Sequence, residues 1–302
     1  MPADFAAEPL ILDVKHNSLD DGPGIRSTVF FKGCPLDCAW CHNPESKSPE
    51  AELAVDPAAC VNCGACAAAC PHGAIRPGAV DRDRCRRDFR CAAVCPTEAL
   101  RRLGRYRPPA EILAELKRYL PFFRNSGGGL TLSGGEPTLY PDYAAKLLRG
   151  AKQLGIRTLL ETGGLFDFTR FQENLLPWLD AIYFDLKLMD DGQHREFCGA
   201  PNGRILDNFR RLAVVARTGF FRLLPRVPLV PGLTDTDENL AAIARFLDDC
   251  GVRRVDLLPY NPTWTRKAVL IDRPTRLAIE RWQTPDELER CRRAFAGFAI
   301  ER

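Results

Sequence analysis

Residues 130–161 read LTLSGGEPTLYPDYAAKLLRGAKQLGIRTLLE. LTLS (130–133) and TLLE (158–161) are short apolar runs of β type, and YAAKLLRGAKQL (143–154) between them repeats its apolar residues at helical spacing. A strand, a helix and a second strand in so short a stretch form a βαβ unit, whose strands run parallel. The same beat continues outward. STVFFKG (27–33), AIYFDLK (181–187), FRLLPRV (221–227) and VDLLPY (255–260) read as further strands, and EILAELKRYL (111–120), GRILDNFRRLAVVAR (203–217) and ENLAAIARFLDDC (238–250) as helices. Six such units predict an α/β fold, a partial (β/α)6 barrel with helices outside and chemistry at the C-terminal strand ends. Residues 50–105 are short in pattern, Cys-rich and Arg-rich, and read as a small α+β domain inserted into a barrel made of 1–49 and 106–302.

The 302 residues are 45% apolar and 27% charged, which supplies a large core and excludes wholesale disorder. A formal net charge of +3 gives no argument for a nucleic-acid partner. No apolar run reaches the eighteen or so residues of a membrane span, and MPADFAAEPLILDV carries acids where a signal peptide carries Lys or Arg. These features predict a cytoplasmic protein with no membrane partner.

Ten of the thirteen cysteines fall between Cys34 and Cys95, at spacings of two and three that favour metal ligation over disulfides. Cys198, Cys250 and Cys291 lie outside and read as small buried hydrophobes. In GCPLDCAWCHNPES (33–46), Cys34, Cys38 and Cys41 are spaced CxxxCxxC directly after a strand. Three thiolates on one loop can hold three irons of a [4Fe–4S] cube and leave the fourth open to a chelating cofactor. A zinc site completed by His42 is the alternative, although structural zinc usually takes paired CxxC knuckles.

This motif, with an aromatic residue before its last Cys, resembles the radical S-adenosylmethionine (SAM) superfamily. DGPGIR (21–26), the cysteine loop, SGGEP (133–137), DLK (185–187), VPGLTD (230–235) and LLPY (257–260), in that order, are similar to the activating enzymes of glycyl radical enzymes, pyruvate formate-lyase activating enzyme among them. The likeness covers nearly the whole chain. It implies that S-adenosylmethionine chelates the open iron, that an electron from the cluster cleaves its C–S bond, and that the 5′-deoxyadenosyl radical takes a hydrogen atom from a backbone glycine of a partner enzyme.

Carried over by position, the resemblance places Trp40 and His42 beside the cluster, with Trp40 offering a face for adenine. SGGEP, through Gly134, Gly135 and Glu136, meets the methionyl amino group. Asp185 and Lys187 flank Leu186 and point the same way, toward the ribose hydroxyls and the methionyl carboxylate. Glu161 and Thr162 match a position that, with Asp185, can hold a monovalent cation, although Glu161 stands where the family has Asp. Arg226 and Asp21 match positions facing the incoming glycine loop. Asn261 stands where pyruvate formate-lyase activating enzyme has His, and can hydrogen-bond the ribose without titrating.

In the interrupting segment, CVNCGACAAACP (60–71) is the bacterial ferredoxin run, whose fourth Cys serves the other cluster. Cys60, Cys63, Cys66 and Cys95 would hold one cube, and Cys70, Cys85 and Cys91 a second. Asp88, where a Cys is expected, is either a carboxylate ligand or none, so this cluster is a cube or a [3Fe–4S] form. Between Arg76 and Arg107 ten Arg face four acids, which suits either balancing of the anionic clusters or docking of an acidic flavodoxin or ferredoxin. The chain is expected to be a monomer. Other readings are a radical SAM enzyme acting on a small molecule or maturing a sulfatase, and a plain electron carrier. DGPGIR and the absence of a long Cys-bearing extension count against the former, and SGGEP with the full barrel against the latter.

Overall fold

The computed structural model describes residues 8–277 and 279–301, so residues 1–7 of the first barrel segment lie outside it. β1 (Ile11–Ser18) runs antiparallel to β2 (Arg26–Phe31), with Val14 opposite Val29. The chain then leaves the sheet between β3 (Glu52–Val55), which pairs antiparallel with β6 (Leu100–Leu103), and a hairpin of β4 (Ile75–Arg76) and β5 (Ala79–Val80). It returns as β7 (Gly129–Gly134), β8 (Arg157–Thr162), β9 (Ala181–Asp185), β10 (Arg222–Leu229), β11 (Arg254–Pro259) and β12 (Ala299–Ile300). The main sheet has the order β1-β2-β7-β8-β9-β10-β11-β12, and every pairing after β1–β2 is parallel.

This is a mostly parallel α/β sheet whose edges, β1 and β12, do not pair with each other, so the barrel is not closed. The six expected strands are present. β7 is buried at five successive positions, as a strand covered on both faces should be. Tyr143, Ala144, Leu147, Leu148 and Ala151 of the helix Pro141–Gln153 recur at helical spacing and are buried in the same core as Leu130, Leu132 and Leu160.

Two readings need correction. β1 and β12 extend the expected six strands to eight in this sheet. The helix expected over 111–120 is broken: Pro109–Leu116 ends in a tight 3-10 turn over Lys117–Tyr119, and a second helix, Leu120–Ser126, starts there. Pro121 is the cause, since it lacks an N–H for the preceding turn and suits the first positions of a new helix.

The segment from β3 to β6 has a small core of its own, in which Leu53, Val55, Ile75 and Leu100 surround Cys66 and Cys91. Glu52 ties it to the sheet by accepting from Lys32 at 2.8 Å and from Arg273 at 3.1 Å, and Arg82 reaches Asp272 at 2.7 Å. Among the described residues no helix is long and apolar enough to cross a membrane.

Candidate functional site

The cysteine loop leaves the C-terminal end of β2 and is held at both ends and in the middle. Gly33 N donates to Ser46 O at 2.8 Å and Cys34 N to Lys47 O at 3.1 Å, which closes the loop. Asp37 N donates to Cys198 O and Ala39 N to Phe197 O, each at 2.8 Å, so the end of the helix Asp191–Cys198 grips the loop on both sides of Cys38. Lys47 Nζ adds a bond to Cys38 O at 2.8 Å, and an Arg276 guanidinium N–H one to Asp37 O at 2.6 Å.

The three thiols lie within electrostatic reach of one another. Burial pushes Cys34 up and, with the neighbouring Cys38, takes Cys41 to about 11. Cys38 is drawn down to about 7, first by a hydrogen bond with Cys198 and then, against burial, by the ammonium groups of Lys187 and Lys47. Clustered thiols, one of them biased toward thiolate beside cationic side chains, suit an anionic iron–sulfur cluster. Among the described residues no three Cys, His, Asp or Glu side chains close tightly enough to share one metal ion. The separate iron corners of a cube need no such closeness.

SGGEP is fused to this loop by its backbone. Gly135 N donates to Phe31 O and Glu136 N to Gly33 O, both at 2.8 Å. A Cβ at Gly135 would stand 2.1 Å from Gly33 O, and one at Gly134, where φ is +103°, would stand 2.4 Å from Phe31 N. The glycines are thus needed for the cysteine loop itself to approach. Glu136 is 1% exposed. Its carboxylate accepts from Thr138 N and Oγ1 at 3.3 and 2.7 Å, from Thr162 Oγ1 at 2.9 Å and from Gly163 N at 2.9 Å, which binds the end of β7 to the end of β8. Burial raises its pKa against the pull of those bonds.

Four strands contribute to one charge network at the same end of the sheet. Arg226 on β10 faces Asp185 on β9 in register. Its Nε and one terminal nitrogen reach Asp185 Oδ1 at 2.9 Å, and the other reaches Glu161 Oε1 on β8 at 2.5 Å. Ser133 on β7 donates to the second oxygen of Glu161 at 2.6 Å, and Lys187 Nζ lies 3.2 Å from the second oxygen of Asp185. Asp185 and Lys187 therefore do point the same way across Leu186, which is itself buried and donates its N–H to Arg226 O. Burial works to raise Asp185, but Arg226 and Lys187 hold it below the usual carboxylate range. Burial likewise opposes the charge on Lys187, and Asp185 with Cys38 and Cys198 keeps it protonated beyond the usual lysine range.

The radical SAM superfamily model matches residues 28–247. The chain belongs to the radical SAM superfamily. An isethionate sulfite-lyase activating enzyme of Desulfovibrio desulfuricans is 40% identical over 276 residues, covering 88% of each chain. A benzylsuccinate synthase activating enzyme of Thauera aromatica is 36% identical and covers 84% of this chain and 78% of its own. Streptococcus suis SuiB, solved bound to its precursor peptide SuiA, shares the fold at 13% identity and a TM-score of 0.52, over 89% of this chain and 46% of that one. The protein is thus a radical SAM enzyme grouped with activating enzymes.

The remaining expected residues of this radical SAM enzyme lie as follows. Trp40 is buried in the main core. His42 is exposed, its ring edge-on to Tyr260 with centroids 6.3 Å apart. Asn261 uses its side-chain oxygen to accept from Thr263 N at 2.9 Å and Thr263 Oγ1 at 2.7 Å, capping the turn after β11. Asp21 accepts from Ser18 at 2.6 Å and Thr28 at 2.7 Å. The two carboxylates proposed for a monovalent cation, Glu161 and Asp185, share the Arg226 guanidinium.

Cys60, Cys63, Cys66 and Cys95 line a single cleft. Cys70, Cys85 and Asp88 act electrostatically on Cys91. Asp88 is exposed, with Oδ1 accepting from Arg90 N at 3.2 Å and Oδ2 lying 3.7 Å from both His72 and Arg90. Sequence reading missed Ser133, Lys47 and Cys198 as neighbours of the site. Ser133 lies within the quoted SGGEP motif, whereas Lys47 and Cys198 lie outside every quoted motif.

Proposed function

We propose that the protein reductively cleaves S-adenosylmethionine and uses the 5′-deoxyadenosyl radical to remove a hydrogen atom from a backbone glycine of a partner glycyl radical enzyme. The observation that carries this is the junction of the Cys34, Cys38 and Cys41 loop with the Glu161, Arg226, Asp185 and Lys187 network at the strand ends. When bound at those thiolates, a [4Fe–4S] cluster supplies the electron and the open iron. Lys187 holds a positive charge for the methionyl carboxylate, Asp185 presents acceptors to the ribose, and Arg226 holds Asp185 and Glu161 in place and keeps Asp185 ionised. Trp40, His42, Gly134, Gly135, Glu136, Leu186 and Asn261 complete the cofactor's surroundings.

In the same reading, residues 50–105 form a ferredoxin-like insert in a partial barrel made of 1–49 and 106–302. Cys60, Cys63, Cys66 and Cys95 carry one further cluster, and Cys70, Cys85, Cys91 and Asp88 another, so the chain holds three. The separate small core of this segment and the grouping of its cysteines support the assignment. The exposed arginines Arg76, Arg84, Arg86, Arg87 and Arg90 suit an acidic flavodoxin or ferredoxin as electron donor, for a monomer working in the cytoplasm.

The test is to replace Cys34, Cys38 and Cys41 together with Ala and measure 5′-deoxyadenosine formed under dithionite. The product should vanish while the iron of the insert stays. Cleavage at the wild-type rate would contradict the assignment.

A further inference from the structure

Gln283 stands just ahead of Thr284, the N-cap of the helix Pro285–Arg293, and lies beyond residue 247, where the superfamily match ends. Its side chain joins two separate turns. Oε1 accepts from Tyr260 N, directly after β11, and Nε2 donates to Asp235 Oδ2, in the turn after β10, each at 3.0 Å. β10 and β11 pair with Leu229 opposite Pro259, so the two turns leave the sheet side by side, at the end that carries the Arg226 network. Asp235 is 2% exposed; its Oδ1 accepts from Gly232 N at 2.7 Å, and Arg290 of the same helix lies 3.3 Å from Oδ2. Tyr260 is also buried: its hydroxyl donates to Ile279 O at 3.0 Å and accepts from Trp264 Nε1 at 2.9 Å, and its ring meets His42 of the cysteine loop. The capping box between Thr284 and Glu287 fixes the start of the helix and with it the place from which Gln283 reaches.

We propose that Gln283 is a positioning residue for the adenosine end of S-adenosylmethionine, setting the separation of the turns that follow β10 and β11. The inference rests on the reading of these strand ends as the S-adenosylmethionine site. Asn261, next to Tyr260, spends its side-chain oxygen on Thr263 N and Oγ1, so its amide N–H groups are what it can offer a ribose oxygen. Where they point depends on the Tyr260 backbone, and Gln283 ties that backbone to Asp235. The methionyl end is assigned to other residues, Lys187 among them, so loss of Gln283 should weaken binding more than it slows chemistry.

The experiment measures 5′-deoxyadenosine formed under dithionite by the anaerobically reconstituted full chain as S-adenosylmethionine is varied. Product in the wild type tests the parent reading by itself, and its absence would overturn that reading and this one with it. With product formed, Gln283→Leu, which keeps the bulk and loses both bonds, should raise KM about tenfold and change the rate at saturation by less than about twofold. The decisive variant exchanges the polar groups. In Asp235→Asn/Gln283→Glu the amide at 235 can donate to the carboxylate at 283, which still accepts from Tyr260 N, so KM should return to within about threefold of wild type. Gln283→Glu alone sets two carboxylates together and should resemble Gln283→Leu. A wild-type KM in Gln283→Leu, or an equal rise in that variant and the double variant, would show that Gln283 only fills space. Should Gln283→Leu not fold, Gln283→Glu against the double variant decides: recovery of KM on adding Asp235→Asn upholds the proposal, and no recovery overturns it.

Discussion

Arg226 offers the sharpest test of the charge network, because the structure gives it work other than meeting an incoming peptide. Its side chain is 11% exposed and is the shared counterion of Glu161, also 11% exposed, and Asp185, 22% exposed. Arg226→Gln leaves both carboxylates in place without that cation. Breaking a buried ion pair by removing one partner costs about 3–5 kcal/mol. Two features hold the loss to the low end: Asp185 retains Lys187 at 3.2 Å, and Glu161, already raised by burial, can take up a proton once Arg226 no longer opposes it. We therefore expect a loss of about 3 kcal/mol, where an exposed pair would cost at most about 1 kcal/mol. Anaerobic urea unfolding reads this directly, as a lower midpoint with an unchanged slope. The double variant Arg226→Gln/Glu161→Gln should recover part of the loss, since it removes one of the stranded carboxylates. A loss under about 1 kcal/mol with no coupling between the two sites would refute the network as described.

Three further outcomes follow from the geometry. Gly135→Ala should prevent stable folding or uptake of the catalytic cluster, because its Cβ would meet Gly33 O at 2.1 Å; soluble yield and iron content check this. Glu136 has its pKa raised by burial, so the folded state binds its proton more readily than the unfolded chain, and wild-type stability falls as pH rises from the ordinary Glu value of 4.5 through the higher folded one. The stability of Glu136→Gln relative to wild type should therefore improve over that window in urea titrations, and a difference that does not change with pH would contradict it. Asp88→Cys should abolish a three-iron paramagnetic signal seen in mildly oxidised wild type, because thiolate holds iron more firmly than carboxylate does. Persistence of that signal in the variant would place the labile corner elsewhere.

The parallel strands were legible because burial on both faces leaves continuous apolar runs such as LTLS and TLLE. β1 was not named, since ILDVKHNS is an edge strand with one wet face, whose Lys, His and Asn interrupt the apolar run. The cysteine loop was legible as a metal-ligand candidate from its spacing. The duties of Glu136, Arg226 and Asn261 were not, because each turns its polar atoms onto the protein's own strands or turns, and spacing does not show what a side chain faces. The glycines of SGGEP were expected to meet the methionyl amino group; in the structure their close neighbours are the backbone of Phe31 at the end of β2 and of Gly33 in the cysteine loop. Cys198 was rightly read as buried; that its carbonyl holds the cysteine loop at Asp37 depends on a contact between distant parts of the chain.

The central claim is that this chain makes a radical on another protein, and one measurement addresses it directly. The reconstituted, reduced enzyme is mixed anaerobically with S-adenosylmethionine and a candidate partner bearing a C-terminal glycine loop, and the electron paramagnetic resonance spectrum is recorded. The account predicts a glycyl radical doublet on the partner, accompanied by 5′-deoxyadenosine and absent with the Cys34→Ala/Cys38→Ala/Cys41→Ala variant. Formation of 5′-deoxyadenosine with no protein radical on any glycyl radical enzyme encoded beside this chain, but with hydrogen abstraction from a small molecule, would contradict it.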